Sequence, residues 1–137
     1  MGELKYEFLE HPAEVKFKAF GTSVEEAFEN SALALSSFIA KGNNILSKKK
    51  KEIEVEASDK EALLYSFLEE IINLLDTDHF VVSRAKVLFD GKKLKAIVKG
   101  DDAKNYKGLD HVKAPTYSEM YIKKIKGLYE LQVVVDV

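Results

Sequence analysis

Two helix-start signatures, each emerging from a segment of alternating residues, constrain the fold more than any other feature of the sequence. Ser23 followed three residues later by Glu26 has the spacing of a capping box, in which each side chain accepts from the other residue's backbone N–H. Behind it Val24, Ala27, Phe28, Leu35, Phe38 and Ile39 recur at helical spacing until Gly42, predicting a helix over Val24 to Lys41. Ser58 and Glu61 repeat the capping-box spacing. Leu63, Leu64, Phe67, Leu68, Ile71, Ile72 and Leu75 then predict a second helix ending near Asp76. Its apolar stripe is broad enough to be mostly core, with Leu64, Phe67, Leu68 and Ile71 at the centre.

The rest of the chain reads as strands. Leu4 to Phe8 interleaves apolar and polar residues, and Val15, Phe17 and Ala19 alternate with Lys16 and Lys18 until Gly21. Ile53, Val55 and Ala57 alternate with Glu52, Glu54 and Glu56. Val81 to Phe89 and Leu94 to Val98 flank Asp90-Gly91, a dipeptide that tolerates positive φ and closes tight hairpins. A loop is expected from Gly100 to Asp110, then a long strand from His111 to Lys123, and Leu128 to Asp136 after the turn at Lys126-Gly127. Two helices among about seven strands, with strands gathered at the end, predict an α+β fold. The expected architecture is one compact domain over residues 1–137, two helices packed on a mainly antiparallel sheet.

Composition removes several function classes. Of 137 residues 46% are hydrophobic and 32% charged, enough for a real core and unlike a disordered tail. Lys plus Arg number 21 against 23 Asp plus Glu, so no whole-molecule field draws the chain to nucleic acid or anionic lipid. Zero cysteines exclude disulfides, thiolate nucleophiles and Cys-rich zinc sites. Glu3, Glu7 and Glu10 stand where a signal peptide needs positive charge, and no apolar run approaches a membrane span. Met1-Gly2 does not start a myristoylation motif, which wants Ser or Thr where Tyr6 stands. The expected compartment is the cytoplasm, with no membrane contact.

His11, His79 and His111 lack metal-ligand spacing and are expected as turn or surface residues. Gly100-Asp101-Asp102 is acidic and would repel a phosphate. The run Lys48 to Lys51 is expected as a solvated loop tip rather than an RNA contact, since no aromatic interleaves with it. Lys104, Lys107, Lys113, Lys123, Lys124 and Lys126, with Tyr106, Tyr117 and Tyr121, are expected to be charged strand edges. Glu14, after the first strand, and Asp136-Val137, after the apolar Val133 to Val135, are more informative. Anionic groups clustered at the end of a central strand either repel or share a hard cation. Sequence alone does not bring Glu14 to them, and a frayed acidic end is the blander reading.

These residues carry a family resemblance. His11, Pro12, Ala13, Glu14 and Val15, then Gly21, Thr22, Glu25, Glu26, Ala27, Phe28 and Ala32, resemble the opening of the archease family, His-Thr-Ala-Asp followed after Gly by an amphipathic helix. Glu61, Leu63, Leu64, Phe67, Leu68, Glu69, Glu70 and Phe80 resemble its second helix and the segment beyond. Gly100 matches a family glycine. His111, Lys113, Ala114, Thr116, Tyr117 and Met120 resemble its His…Lys-Ala-x-Thr-Tyr-His-x-Met signature, and Asp136-Val137 its terminal Asp-Ile or Asp-Val. Three positions depart: Pro12 stands for Thr, Glu14 for Asp, and Ser118 for the His after Thr-Tyr.

The resemblance implies an accessory protein rather than an enzyme. Archeases promote guanylylation and multiple turnover of the RNA-splicing ligase that joins tRNA halves, and broaden its nucleotide choice. Some are linked instead to a tRNA cytosine methyltransferase as a chaperone. The family's fold is related to small strand-helix-strand-strand domains. Its divalent cation, usually calcium, would be held here by Glu14, Asp136 and a main-chain or carboxylate oxygen of Val137. His11, Lys113, Thr116 and Tyr117 become candidate partner contacts, with any RNA contact indirect or weak. A small hydrolase built on His11, Glu14 and His111 lacks a visible nucleophile.

Overall fold

A computed structural model describes residues 4–137; Met1-Gly2 and Glu3, on which the lipidation and leader readings partly fall, lie outside the described residues. The order is β1 (Tyr6–Leu9), β2 (Val15–Gly21), α1 (Val24–Ala40), β3 (Lys49–Glu56), α2 (Lys60–Asp78), β4 (Phe80–Asp90), β5 (Lys93–Asp102), β6 (Ala114–Ile125) and β7 (Leu128–Asp136). The strands form two antiparallel sheets, one ordered β1-β2-β7-β6 and the other β3-β5-β4. Each helix packs against strands of both sheets. The α+β expectation therefore holds, with the sheet divided in two.

α1 is buried on most of its circumference because it serves both sheets. Ala27, Ala32, Ala34 and Ala40 let neighbours approach closely, while Phe28, Leu35 and Ile39 fill the space between. Two of its buried polar side chains are paired, Asn30 donating to the Phe20 carbonyl at 2.6 Å and Ser31 to the Phe28 carbonyl at 2.6 Å, while the buried Ser36 hydroxyl has no partner among the described residues. Ser23 caps the helix by accepting from the Glu26 N–H at 3.1 Å. The Glu26 carboxylate reaches one residue further than the capping box predicts, to the Thr22 N–H at 2.6 Å. Glu29 accepts from the Val87 N–H at 2.9 Å, which occupies a donor on the edge strand β4.

α2 starts one residue later than its capping-box spacing implies. Asp59, not Ser58, is the cap and accepts from the Ala62 N–H at 2.8 Å. Asp caps as well as Ser and adds a negative charge at the positive end of the helix dipole. Leu63, Leu64, Phe67, Leu68, Ile71 and Ile72 are buried, as their spacing predicts. The helix runs to Asp78 and stops at His79, which takes the left-handed conformation (φ 54°) and so acts as a turn residue.

Three further segments depart from expectation. Lys49 to Lys51 are strand residues of β3 rather than a loop tip, because β5 extends far enough to pair with them: Lys49 faces Gly100 and Lys50 faces Lys99. Gly100 to Asp102 likewise belong to β5, and the loop is ordered behind them by a short 3₁₀ turn at Ala103–Asn105. Asp101 is buried and accepts from the Tyr106 hydroxyl at 2.7 Å, the Asp102 N–H and Asn105. The Tyr106 hydrogen bond foremost holds its carboxyl below the ordinary value. His111 to Lys113 precede β6 instead of opening it.

Candidate functional site

The connection from β1 to β2 places the first candidate residues. Ala13 adopts a positive φ of 63°, and the turn brings His11 Nδ1 to 3.3 Å from Glu14 Oε1. Beyond the turn, β2 pairs with β7 and Val15 faces Val135. The next residues outward are Glu14 on one segment and Asp136-Val137 on the other. On the other flank β6 pairs with β7 so that Ala114 faces Asp136, and the Lys113 N–H donates to the Asp136 carbonyl at 2.8 Å. That bond engages the Asp136 main chain and leaves its carboxylate for other work.

A group the sequence did not point to completes this end of the sheet. β6 loses register with β7 between Thr116 and Tyr121, and within that bulge Glu119 has φ 55°. Its carbonyl accepts from the Gln132 side chain at 2.8 Å. Its carboxylate reaches to Lys16 on β2 at 2.9 Å and to His11 Nε2 at 3.0 Å. The Lys16 hydrogen bond foremost, then that of His11, holds the Glu119 carboxyl below its ordinary value. The one signal available in the sequence was the mismatch between a strand predicted over His111 to Lys123 and a shorter partner over Leu128 to Asp136. Unequal hairpin arms require extra residues to bulge out.

His11 is thus held between two carboxylates. Its side chain is 17% exposed, and Nδ1 is buried without a hydrogen-bond partner, since its approach to Glu14 is close but poorly aligned. The ligands the resemblance implies, Glu14, Asp136 and a main-chain oxygen of Val137, are all oxygen donors, the type a hard divalent cation takes. Among the described residues no group of three or more His, Asp or Glu side chains is placed to hold a metal ion by itself. The donor chemistry fits calcium or magnesium, and the orphaned His11 nitrogen marks a polar gap beside Glu14.

The remaining candidates divide. Lys113 is exposed next to Asp136. Thr116 ties β6 to β7 by donating to the Val134 carbonyl at 2.8 Å. Tyr117 is 56% exposed and its ring stacks on Tyr65 of α2 at 4.6 Å, so it belongs to the helix-facing side. His111 is exposed in the loop before β6. Among the described residues no helix is long and apolar enough to cross a membrane.

Comparison with known proteins agrees with this fold. The model of the Archease protein family matches residues 6–137. Protein archease of Pyrococcus abyssi is 37% identical over 140 residues, covering 97% of this chain and 99% of that protein. The solution structure of Methanobacterium thermoautotrophicum protein 1598 superimposes with a TM-score of 0.81 at 28% identity, over 97% of this chain and 99% of the other. A crystal structure from Thermotoga maritima, described as an archease and possible chaperone, shares the fold with a TM-score of 0.62 at 18% identity, over 94% of each chain. With a family match over nearly its whole length and a relative this similar end to end, the chain belongs to the archease family.

Proposed function

We propose that this protein is a cytoplasmic accessory factor, not an enzyme, that activates the RNA-splicing ligase joining tRNA halves. In this reading it promotes guanylylation and multiple turnover of the ligase and broadens its nucleotide use. The observation that supports the reading is the β2–β7 pairing, in which Val15 faces Val135, so that Glu14 of the first family motif and Asp136-Val137 follow at the same end of the sheet. Glu14, Asp136 and the Val137 main chain would hold a divalent cation, calcium by their donor type. Bound there, the ion would offset the carboxylate charge and let this end approach a phosphate-bearing cleft. Lys16 and His11 hold Glu119 aside, Asp136 is anchored through Lys113, and exposed Lys113 is placed to meet the partner. Such a contact accelerates the ligase by favouring its competent state.

The test is a multiple-turnover ligation assay with catalytic ligase and an RNA bearing a 2′,3′-cyclic phosphate. The parent should accelerate turnover; Asp136→Asn should not, while keeping its melting curve and losing calcium binding by calorimetry. Calcium binding unchanged in Asp136→Asn would place the site elsewhere. A second reading, a chaperone for a tRNA cytosine methyltransferase, has its support in an open groove of about 900 Å³ whose lining includes Leu4, Phe20, Leu33 and Leu128. It displaces the first if the ligase is unaffected while the methyltransferase is kept in solution.

A further inference from the structure

The outer face of the three-stranded sheet carries a charge arrangement that neither the fold nor the cation site explains. The lysine run of β3 splits by strand alternation. Lys49 pairs with Asp102 at 2.9 Å and Lys51 with Asp78 at 3.1 Å, whereas Lys50 points to the opposite face. There Lys50 lies directly across from Lys99 of β5, and Lys99 directly across from Arg84 of β4, the only arginine in the chain. In the next row Lys86 faces Ile97, with Glu52 beyond it. Among the described residues none of these four cations is in an ion pair, and with Ile97 and Ala85 they line a groove of about 390 Å³. The acids of this face, apart from Glu52, lie further along: Glu54, Glu56 and Asp90, with Lys95 and Lys93 between them.

Like charges directly opposite one another destabilise a sheet, and here two such pairs share one row in a protein of net charge −2. We propose that this face binds the phosphate backbone of RNA. The face offers cations suited to phosphates, with Leu88 and Ile97 its exposed apolar side chains. Cations sit about 5 Å apart across strands and about 7 Å apart along them, and Arg84 brings a guanidinium fork suited to phosphate oxygens. No aromatic residue occupies the face, so bases have nothing to stack on and binding is independent of sequence. An acidic peptide would gain affinity from a free strand edge or an apolar stripe. The cations lie on the face instead, and Glu29 already occupies an edge donor of β4. The choice of RNA over other polyphosphates rests on the ligase reading above; the phosphate contact does not.

The test is fluorescence anisotropy of a fluorescein-labelled single-stranded RNA titrated with the whole chain, without ligase. Four phosphate contacts predict about a 50-fold loss of affinity between 50 and 200 mM salt. Arg84→Gln combined with Lys99→Gln should bind more weakly and reduce that loss to about 7-fold. Lys104→Gln combined with Lys107→Gln removes equal charge from an exposed loop and should match the parent. The proposal is overturned by no binding at 50 mM salt, by equal weakening in both double variants, or by competition by polyglutamate as effective as by unlabelled RNA, which would mark an acidic protein as the partner. Single-stranded DNA bound more tightly than RNA would also reject RNA as the occupant. A null ligation assay leaves this titration standing, and a null titration leaves the ligase reading standing.

Discussion

Gly100 sits where the structure leaves no room for a side chain. It lies in β5, the middle strand of its sheet, facing Val82 on one side and Lys49 on the other. A Cβ there would lie 2.0 Å from the Val81 carbonyl oxygen, beside the β4 irregularity between Val82 and Arg84. The obstacle is backbone, so no rotamer change relieves it. Nor is the start of β4 free to retreat: it follows directly on His79, whose carbonyl accepts from the Ala103 N–H at 2.7 Å. Gly100→Ala should therefore cost near the top of the range for overpacking, about 3 kcal/mol, less roughly 0.4–1 kcal/mol from the stiffer unfolded chain. The net is about 2 kcal/mol. Gly91, in the β4–β5 turn, is the natural control: its φ is 61° but an added Cβ would meet nothing within 4 Å. Gly91→Ala pays only the left-handed backbone penalty of about 1–2 kcal/mol, less the same unfolded-chain gain. Urea denaturation followed by far-UV circular dichroism would measure both. Gly100→Ala within about 0.5 kcal/mol of the parent, or no worse than Gly91→Ala, would refute the close approach.

Further outcomes follow from the caps and from Glu119. Asp59→Ala should cost about 1 kcal/mol, whereas Ser58→Ala should be near neutral; equal costs by thermal melting would reinstate Ser58 as the cap. Because the Glu119 carboxyl titrates below its ordinary value, its stabilising contribution is present above about pH 4 and is lost as pH falls through the depressed value. The parent should therefore lose more stability than Glu119→Gln between pH 6 and pH 3 in urea unfolding, and carbon-detected NMR should place the Glu119 midpoint below that of an exposed glutamate. Equal losses would show that the Lys16 and His11 contacts do not persist in solution.

Local patterns carried most of the fold. β7 spans Leu128–Asp136 as read, because the Lys126-Gly127 turn has both residues at positive φ and Leu131 to Val135 are all buried. The core positions of α2 were equally plain from their spacing. What escaped was non-local. That Lys49 to Lys51 are paired depends on the length of β5, and the division into two sheets depends on which strands choose β7 and which choose β5. Glu14 and Asp136-Val137 stood out as acids beside apolar strands and took a ligand role from the family resemblance, but that their strands run side by side, Val15 facing Val135, depends on β2–β7 pairing, which residue order cannot specify. Glu119 was missed because a glutamate at positive φ has no local signature.

The pairing of β2 with β7 also sets an order on folding. The three-stranded sheet and α2 draw on one continuous stretch, residues 49 to 102, and can assemble while the chain is still emerging from the ribosome. β2 meets β7 only across a long sequence separation, and such contacts close slowly. The end of the sheet near Glu14 and Asp136 is thus late to form. An ion that prefers it would bind finished chains and ignore partial ones, and by mass action would hold the first and last segments of the sequence together.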